Sequence, residues 1–174
     1  MLSNPTPTNG RLVFLVDDLT TNGWVKVLLP IRPNGSTGWV QAHDVVVAPD
    51  PYKIVVDLGA HTLTLLKRGK AALKVPAGIG KGSTPTPGGR YYLAQLYKPP
   101  DPKGVYGPFA YALNGFSEVL PNFQGGDAII GIHGTNQPQL VGKDVSHGCI
   151  RVTNDVITKL ADLVPLGSPV KIKK

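Results

Sequence analysis

Cys149 is the only cysteine among 174 residues, and it lies in Ser146-His147-Gly148-Cys149-Ile150-Arg151. A second histidine stands sixteen residues upstream, in Ile132-His133-Gly134-Thr135. A free thiol with pKa near 8.5 is only about 3% thiolate at pH 7. An imidazole that accepts its proton, or holds it as an ion pair, turns it into a nucleophile. Residue types and spacing therefore point to covalent acyl transfer, with Cys149 as nucleophile. His133 ends an apolar run, so it can arrive from a separate strand as the base. His147 is two residues from the thiol and is expected to shape its loop, although the two histidines could exchange roles.

If the loop is tight, backbone N–H groups of His147, Gly148 and Cys149 can converge on one point and form an oxyanion hole. A side chain at Gly148 would block the turn or the substrate. Arg151 has the chemistry to hold a carboxylate, and equally that of a surface ion pair. Ser146 can orient a histidine or satisfy the loop's backbone.

These groups need a scaffold, and the rest of the chain reads as short strands between turns. Glycine (21) and proline (17) are spread along its length, and hydrophobic residues make up 41%, enough for a packed core. A polar linker covers 1–10. From 11 to 50, Leu12–Val16, Trp24–Leu28 and Gly38–Val40 read as strands around the turn signal Asn34-Gly35. This stretch resembles a small bacterial SH3-like barrel without its first strand, and Trp24 and Trp39 are expected to form its core. Ala48-Pro49-Asp50-Pro51 is a stiff joint leading into a second unit over 51–174.

In that unit, strands are expected over Ile54–Leu58, Thr62–Leu66, Ala71–Val75, Tyr91–Leu96 and Ala128–Ile132, with a last one at Val170–Lys173. His61 is expected at the surface. Val156, Ile157, Leu160, Leu163 and Val164 recur at helical spacing, with Thr153 or Asn154 as cap. The glycine-rich run from Ala77 to Tyr91 lacks the Gly-Lys-Ser/Thr ending of a phosphate loop. It reads as the wall of a peptide groove or as a surface loop. Residues 98–124 carry prolines and aromatics and read as a long irregular lid or flank. Tyr106 in that flank, and Tyr91, are candidate substrate contacts.

The formal charge of +7 favours an acidic environment. Its scattered lysines and arginines, with no basic strip interleaved with aromatics, argue against nucleic acid. A single cysteine excludes an internal disulfide framework. No run of about 20 apolar residues is present to span a bilayer.

His133-Gly134-Thr135 followed by Ser146-His147-Gly148-Cys149-Ile150-Arg151 resembles the L,D-transpeptidase catalytic domain (YkuD-type), over about Tyr52 to Lys173. The upstream Gly-Ile-Gly…Thr-Pro-Thr-Pro-Gly-Gly-Arg-Tyr run matches the same pattern. The resemblance implies a mainly β, sandwich-like domain with one clear helix and the cysteine in a groove. It implies attack of Cys149 on the third stem residue of bacterial peptidoglycan, release of terminal D-alanine, and transfer of the acyl group to an amine of another stem. With water as acceptor the result is L,D-carboxypeptidase activity. It also implies His133 as base, Gly134 orienting it, and an oxyanion hole at His147, Gly148 and Cys149. Inhibition by carbapenem-type β-lactams, no cofactor or metal, and a location outside the cell at the wall follow from it, with no export signal read in this sequence. Two other readings compete: a zinc hydrolase ligated by His133, His147 and Cys149, for which no Glu base stands out, and a non-catalytic wall-binding protein.

Overall fold

The structure is a computed structural model that describes residues 2–6, 10–19, 22–123 and 125–174. Residues 1 and 7–9 of the expected linker, and Gln124 at the end of the expected lid, lie outside the described residues. The described part of the linker is tied back on itself. Thr6 is buried, its Oγ1 accepts from Gly10 N–H at 3.1 Å, and Asn4 Oδ1 accepts from Leu12 N–H at 3.2 Å.

Three strands open the chain: β1 (Val16–Leu19), β2 (Trp24–Leu28) and β3 (Thr37–Gln41), paired antiparallel in that order. They form an open sheet. The first strand begins at Val16 rather than Leu12, because β1 pairs with β2 only from Val16↔Val27 onward. The tryptophans are not its core. Strand alternation turns Val25 and Val27 inward (4% and 2% exposed), so Trp24 faces the other way, 43% exposed. Trp39 lies opposite Lys26 in the ladder and shares that outer face, at 53%.

After the prolines come β4 (Tyr52–Asp57), β5 (Thr62–Lys67), β6 (Lys70–Pro76), β7 (Ile79–Gly80) and β8 (Gly89–Tyr97). Then follow β9 (Ala110–Phe116), β10 (Asn122–Phe123), β11 (Gly126–Asp127), β12 (Ile129–His133), β13 (Asp144–Ser146) and β14 (Ile150–Arg151). Helix α1 (Asn154–Leu163) and β15 (Pro169–Lys173) close the chain. Eight strands make one sheet in the order β14-β12-β9-β8-β15-β4-β5-β6. The C-terminal strand β15 sits in its middle, parallel to β4 and antiparallel to β8. A small parallel pair, β7 with β13, stands beside it.

The apolar stripe of α1, Val156, Ile157 and Leu160, packs on this sheet with Ile54, Leu65, Ile130, Ile132 and Val170. Thr153 occupies the N-cap position without a capping side-chain bond. The other end is held by Tyr111, whose hydroxyl lies 2.8 Å from Val164 O and 3.1 Å from Leu160 O. Leu160 O already accepts from Val164 N–H at 2.8 Å, so the hydroxyl adds a donor at the helix end, chiefly for Val164 O.

Residues 98–124 are only partly irregular. Their middle is β9, a central strand buried on both faces, so its residues show no alternation. The glycine-rich run does not line the groove. Thr84 and Thr86 are buried, and both bond to the backbone of the cysteine loop from behind.

Tyr111→Phe removes a buried hydroxyl and takes from Val164 O the donor that it supplied. The variant is expected to fold but lose about 1–2 kcal/mol, read as a lower denaturant midpoint with unchanged slope.

Candidate active site

β12 and β14 run parallel, with Ile132 opposite Ile150 and His133 opposite Arg151. This pairing carries the site. In that register Gly131 falls opposite Cys149, the residue just before β14, and His133 lies two positions further along β12. A Cβ on Gly131 would press on Tyr111 O at 2.7 Å and lie 3.9 Å from the Cys149 sulfur. The sulfur also lies 3.9 Å from Ile129 O.

His133 is 4% exposed, and its Nδ1 lies 2.6 Å from Gly134 O. A carbonyl can only accept, so Nδ1 carries the proton and Nε2 presents its lone pair. The Tyr106 ring meets the imidazole edge to face, with centroids 4.9 Å apart. The turn after His133 is braced from the helix. Asn154 Oδ1 accepts from Thr135 N–H at 2.8 Å, and a Cβ on Gly134 would collide with that same oxygen. Asn154 could be read in the sequence only as a helix cap; its bracing role depends on where the fold sets α1.

The cysteine loop is tied internally by Ser146. Its Oγ donates to Cys149 O at 2.6 Å and accepts from Gly148 N–H at 3.0 Å. Gly148 has φ +121°, and a Cβ there would meet Ile130 Cδ1 at 2.9 Å. From behind, Thr86 Oγ1 donates to Gly148 O and accepts from Gly80 N–H, each at 2.8 Å. No local motif in the sequence marked Thr86 for this contact, which joins residues 62 positions apart.

An open cavity of about 210 Å³ is lined by His133, Cys149, Ser146, His147, Arg151 and Tyr106, with Val105, Leu120, Phe123 and Ala128–Ile130 completing its walls. That is smaller than the roughly 300–1,000 Å³ of a drug-sized ligand pocket, so it suits the reacting segment of a longer molecule. His147 is exposed, its ring 5.5 Å from that of Phe123. Arg151 Nε is buried without a partner among the described residues. Tyr91 is not at the groove. It is 1% exposed in the core, with its hydroxyl toward the carbonyls of Pro87 and Gly88. His61, half-buried, pairs with Asp144 at 2.8 Å. Among the described residues, no three His, Cys, Asp or Glu side chains are grouped to hold a metal ion.

Burial pushes the His133 imidazole down to about 4; the Gly134 carbonyl opposes this and Arg151 adds to it. Burial pushes the Cys149 thiol up, against the lowering effects of the Gly131 backbone and Arg151. At neutral pH the open groove therefore holds a neutral thiol and a neutral imidazole rather than an ion pair.

This fold and this site define a cysteine acyltransferase. The YkuD family model, the L,D-transpeptidase catalytic domain, matches residues 51–172, and the chain belongs to that family. It is 34% identical over 153 residues to a putative L,D-transpeptidase, YkuD, of Bacillus subtilis, covering 84% of this chain and 85% of that one. L,D-transpeptidase 1 of Mycobacterium tuberculosis is 27% identical over 98% of this chain and 69% of its own. Among solved structures, an L,D-transpeptidase from Mycobacterium smegmatis superposes with TM-score 0.58 at 21% identity, over 92% of this chain and 82% of that one. An LD transpeptidase in complex with imipenem superposes with TM-score 0.55 at 21% identity, over 96% and 80%. No helix among the described residues is long and apolar enough to cross a membrane.

An unfolded chain takes a proton on His133 near pH 6.5 that the folded chain refuses until about pH 4. Stability is therefore lost as pH falls through that window, by about 3 kcal/mol in all. Urea midpoints between pH 7 and 4 should fall more steeply for the wild type than for His133→Gln; parallel slopes would contradict a neutral buried imidazole.

Proposed function

We propose that the chain is a peptidoglycan L,D-transpeptidase acting outside the cell, with Cys149 as nucleophile and His133 as base. The observation that carries this is the buried His133 ring, its Nδ1–H bound to Gly134 O and its Nε2 free to accept, on the same cavity as the chain's only thiol. The thiol attacks the carbonyl of the third stem residue as Nε2 takes its proton. The tetrahedral intermediate collapses to a thioester, and the imidazolium returns the proton to the departing D-alanine amine. An amine of a second stem then attacks the thioester, yielding the cross-link and restoring the thiol. Water in that place gives carboxypeptidase activity. Because both partners rest neutral, proton transfer accompanies attack instead of preceding it.

The oxyanion is received by backbone N–H groups of the cysteine loop. Gly148 N–H is bonded to Ser146 Oγ, so the donors are Cys149 and His147. Thr86 sets the first of these. It pins Gly148 O on the far side of a trans peptide, which turns Cys149 N–H the opposite way, toward the groove. Gly148 contributes its backbone conformation. Arg151, on the cavity wall, brings a guanidinium suited to a substrate carboxylate, and Tyr106 meets the base edge to face and lines the peptide's path. A carbapenem ring, strained and carbonyl-bearing, acylates the same sulfur. The net charge of +7 favours residence near a polyanionic wall.

Incubation with disaccharide-tetrapeptide, products read by mass spectrometry, tests the reading. Wild type should release D-alanine and form dimers or tripeptide, and Cys149→Ala should do neither while keeping its melting temperature. His133→Ala should slow acylation at least about 100-fold and His147→Ala less; the reverse order in stopped flow would exchange their roles.

Thr86→Val should lower the carbapenem acylation rate by about tenfold or more, while Thr86→Ser retains it. Alkylation of Cys149 by iodoacetamide, which forms no oxyanion, should hardly change. Equal loss in both reactions would assign Thr86 to the fold alone.

A further inference from the structure

The turn between β2 and β3 lies outside the region matched by the family model, yet it is bonded to one wall of the groove. Asn34 meets Phe116 through both halves of its amide. Nδ2 donates to Phe116 O and Oδ1 accepts from Phe116 N–H, each at 2.8 Å. A side-chain amide here supplies both hydrogen bonds of a ladder rung at the end of β9. Arg32 continues the contact. Its guanidinium donates to Ser117 O at 2.8 Å and to Leu120 O at 3.2 Å, and lies 4.8 Å above the Phe116 ring.

The segment held in this way leads directly into the groove. Leu120 and Phe123 line the cavity, and the Phe123 ring packs on His147. Ser117 Oγ accepts from Leu120 N–H at 3.0 Å, so the grip on Ser117 and Leu120 fixes a closed turn rather than one end of a loose strand. Arg32 matches this task because its planar fork reaches successive carbonyls at fixed angles, which a lysine ammonium cannot reproduce.

We infer that Arg32 and Asn34 are positioning residues, through which the N-terminal sheet holds the Leu120–Phe123 wall of the groove in the shape that receives an extended peptide. They touch no reacting atom and act on substrate binding. The sulfur, the imidazole and the Thr86 brace belong to other elements, so intrinsic thiol reactivity does not depend on them. The inference rests on this groove being the acyl-donor site.

The experiment compares wild type with Arg32→Gln, Arg32→Lys and Asn34→Ala in the full chain. Hydrogen exchange is followed at residues 116–120, turnover with disaccharide-tetrapeptide, and Cys149 alkylation with iodoacetamide. Arg32→Gln and Asn34→Ala should speed exchange at the Phe116 amide and raise KM roughly three- to tenfold with little change in kcat. Iodoacetamide rates should stay at the wild-type value, and Arg32→Lys should recover only part of the loss. Faster exchange at 116–120 with unchanged KM would overturn the inference, leaving a purely structural contact. So would equal loss in KM, kcat and alkylation, which reports general unfolding. Wild-type turnover of the tetrapeptide is the separate control: if it is absent while carbapenem still labels Cys149, the assignment of the acyl donor fails, and the wall's role is then judged by the carbapenem concentration dependence of acylation in the same variants, whose half-saturation should rise.

Discussion

The hydrogen bond between His133 Nδ1 and Gly134 O is the constraint on which the rest of the site depends. It ties a ring to its own chain one residue on, at 2.6 Å, and so fixes both the tautomer and the ring plane. A carboxylate in the carbonyl's place would raise the imidazole's basicity and favour a standing ion pair with the thiol. A neutral carbonyl does less, and burial dominates, holding the ring uncharged down to about pH 4. Burial raises the Cys149 thiol in turn, so the proton rests on sulfur rather than on the ring.

Everything that keeps this bond in place comes from a distance in sequence. Asn154, on the first turn of α1, holds Thr135 and leaves no room for a side chain at Gly134. Helix α1 is itself fixed by its apolar face on the sheet and by Tyr111 at its far end. The cysteine loop has its own supports, Ser146 within and Thr86 behind. Two short stretches of chemistry are thus mounted on separate braces and joined by the parallel pairing of β12 and β14.

The sequence made the chemistry more legible than its supports. Cys149, His133, Ser146 and Arg151 could be singled out because the chain's one thiol stands near two histidines and the spacing repeats a recognisable pattern. Most strands could be read as well: β4, β5 and β15 alternate clearly and are bounded by turn residues. β9 could not, because a central strand buried on both faces has no period, and Asn114-Gly115 within it reads as a turn. Tyr91 carried a phenol fit for substrate, but Gly115 leaves a recess that its ring fills, a fact of packing across strands. The size of Trp24 and Trp39 points to a core, whereas the phase of Val25 and Val27 sets Trp24 on the opposite face.

The braces share one property that explains why they are hard to read. Thr86, Asn154, Asn34 and Arg32 each act by bonding a backbone group far along the chain, and a backbone group has no residue type to match. Such contacts are selected for position, and position exists only after folding. They also answer a structural need. A groove that must accept an extended peptide cannot be lined by continuous sheet, so its loops lack ladder partners on the open side. Side-chain amides, hydroxyls and a guanidinium supply the missing partners, and do so from the face away from substrate. The catalytic loop is supported by the glycine-rich run and the opposite wall by the N-terminal sheet, leaving the space between them free for chemistry.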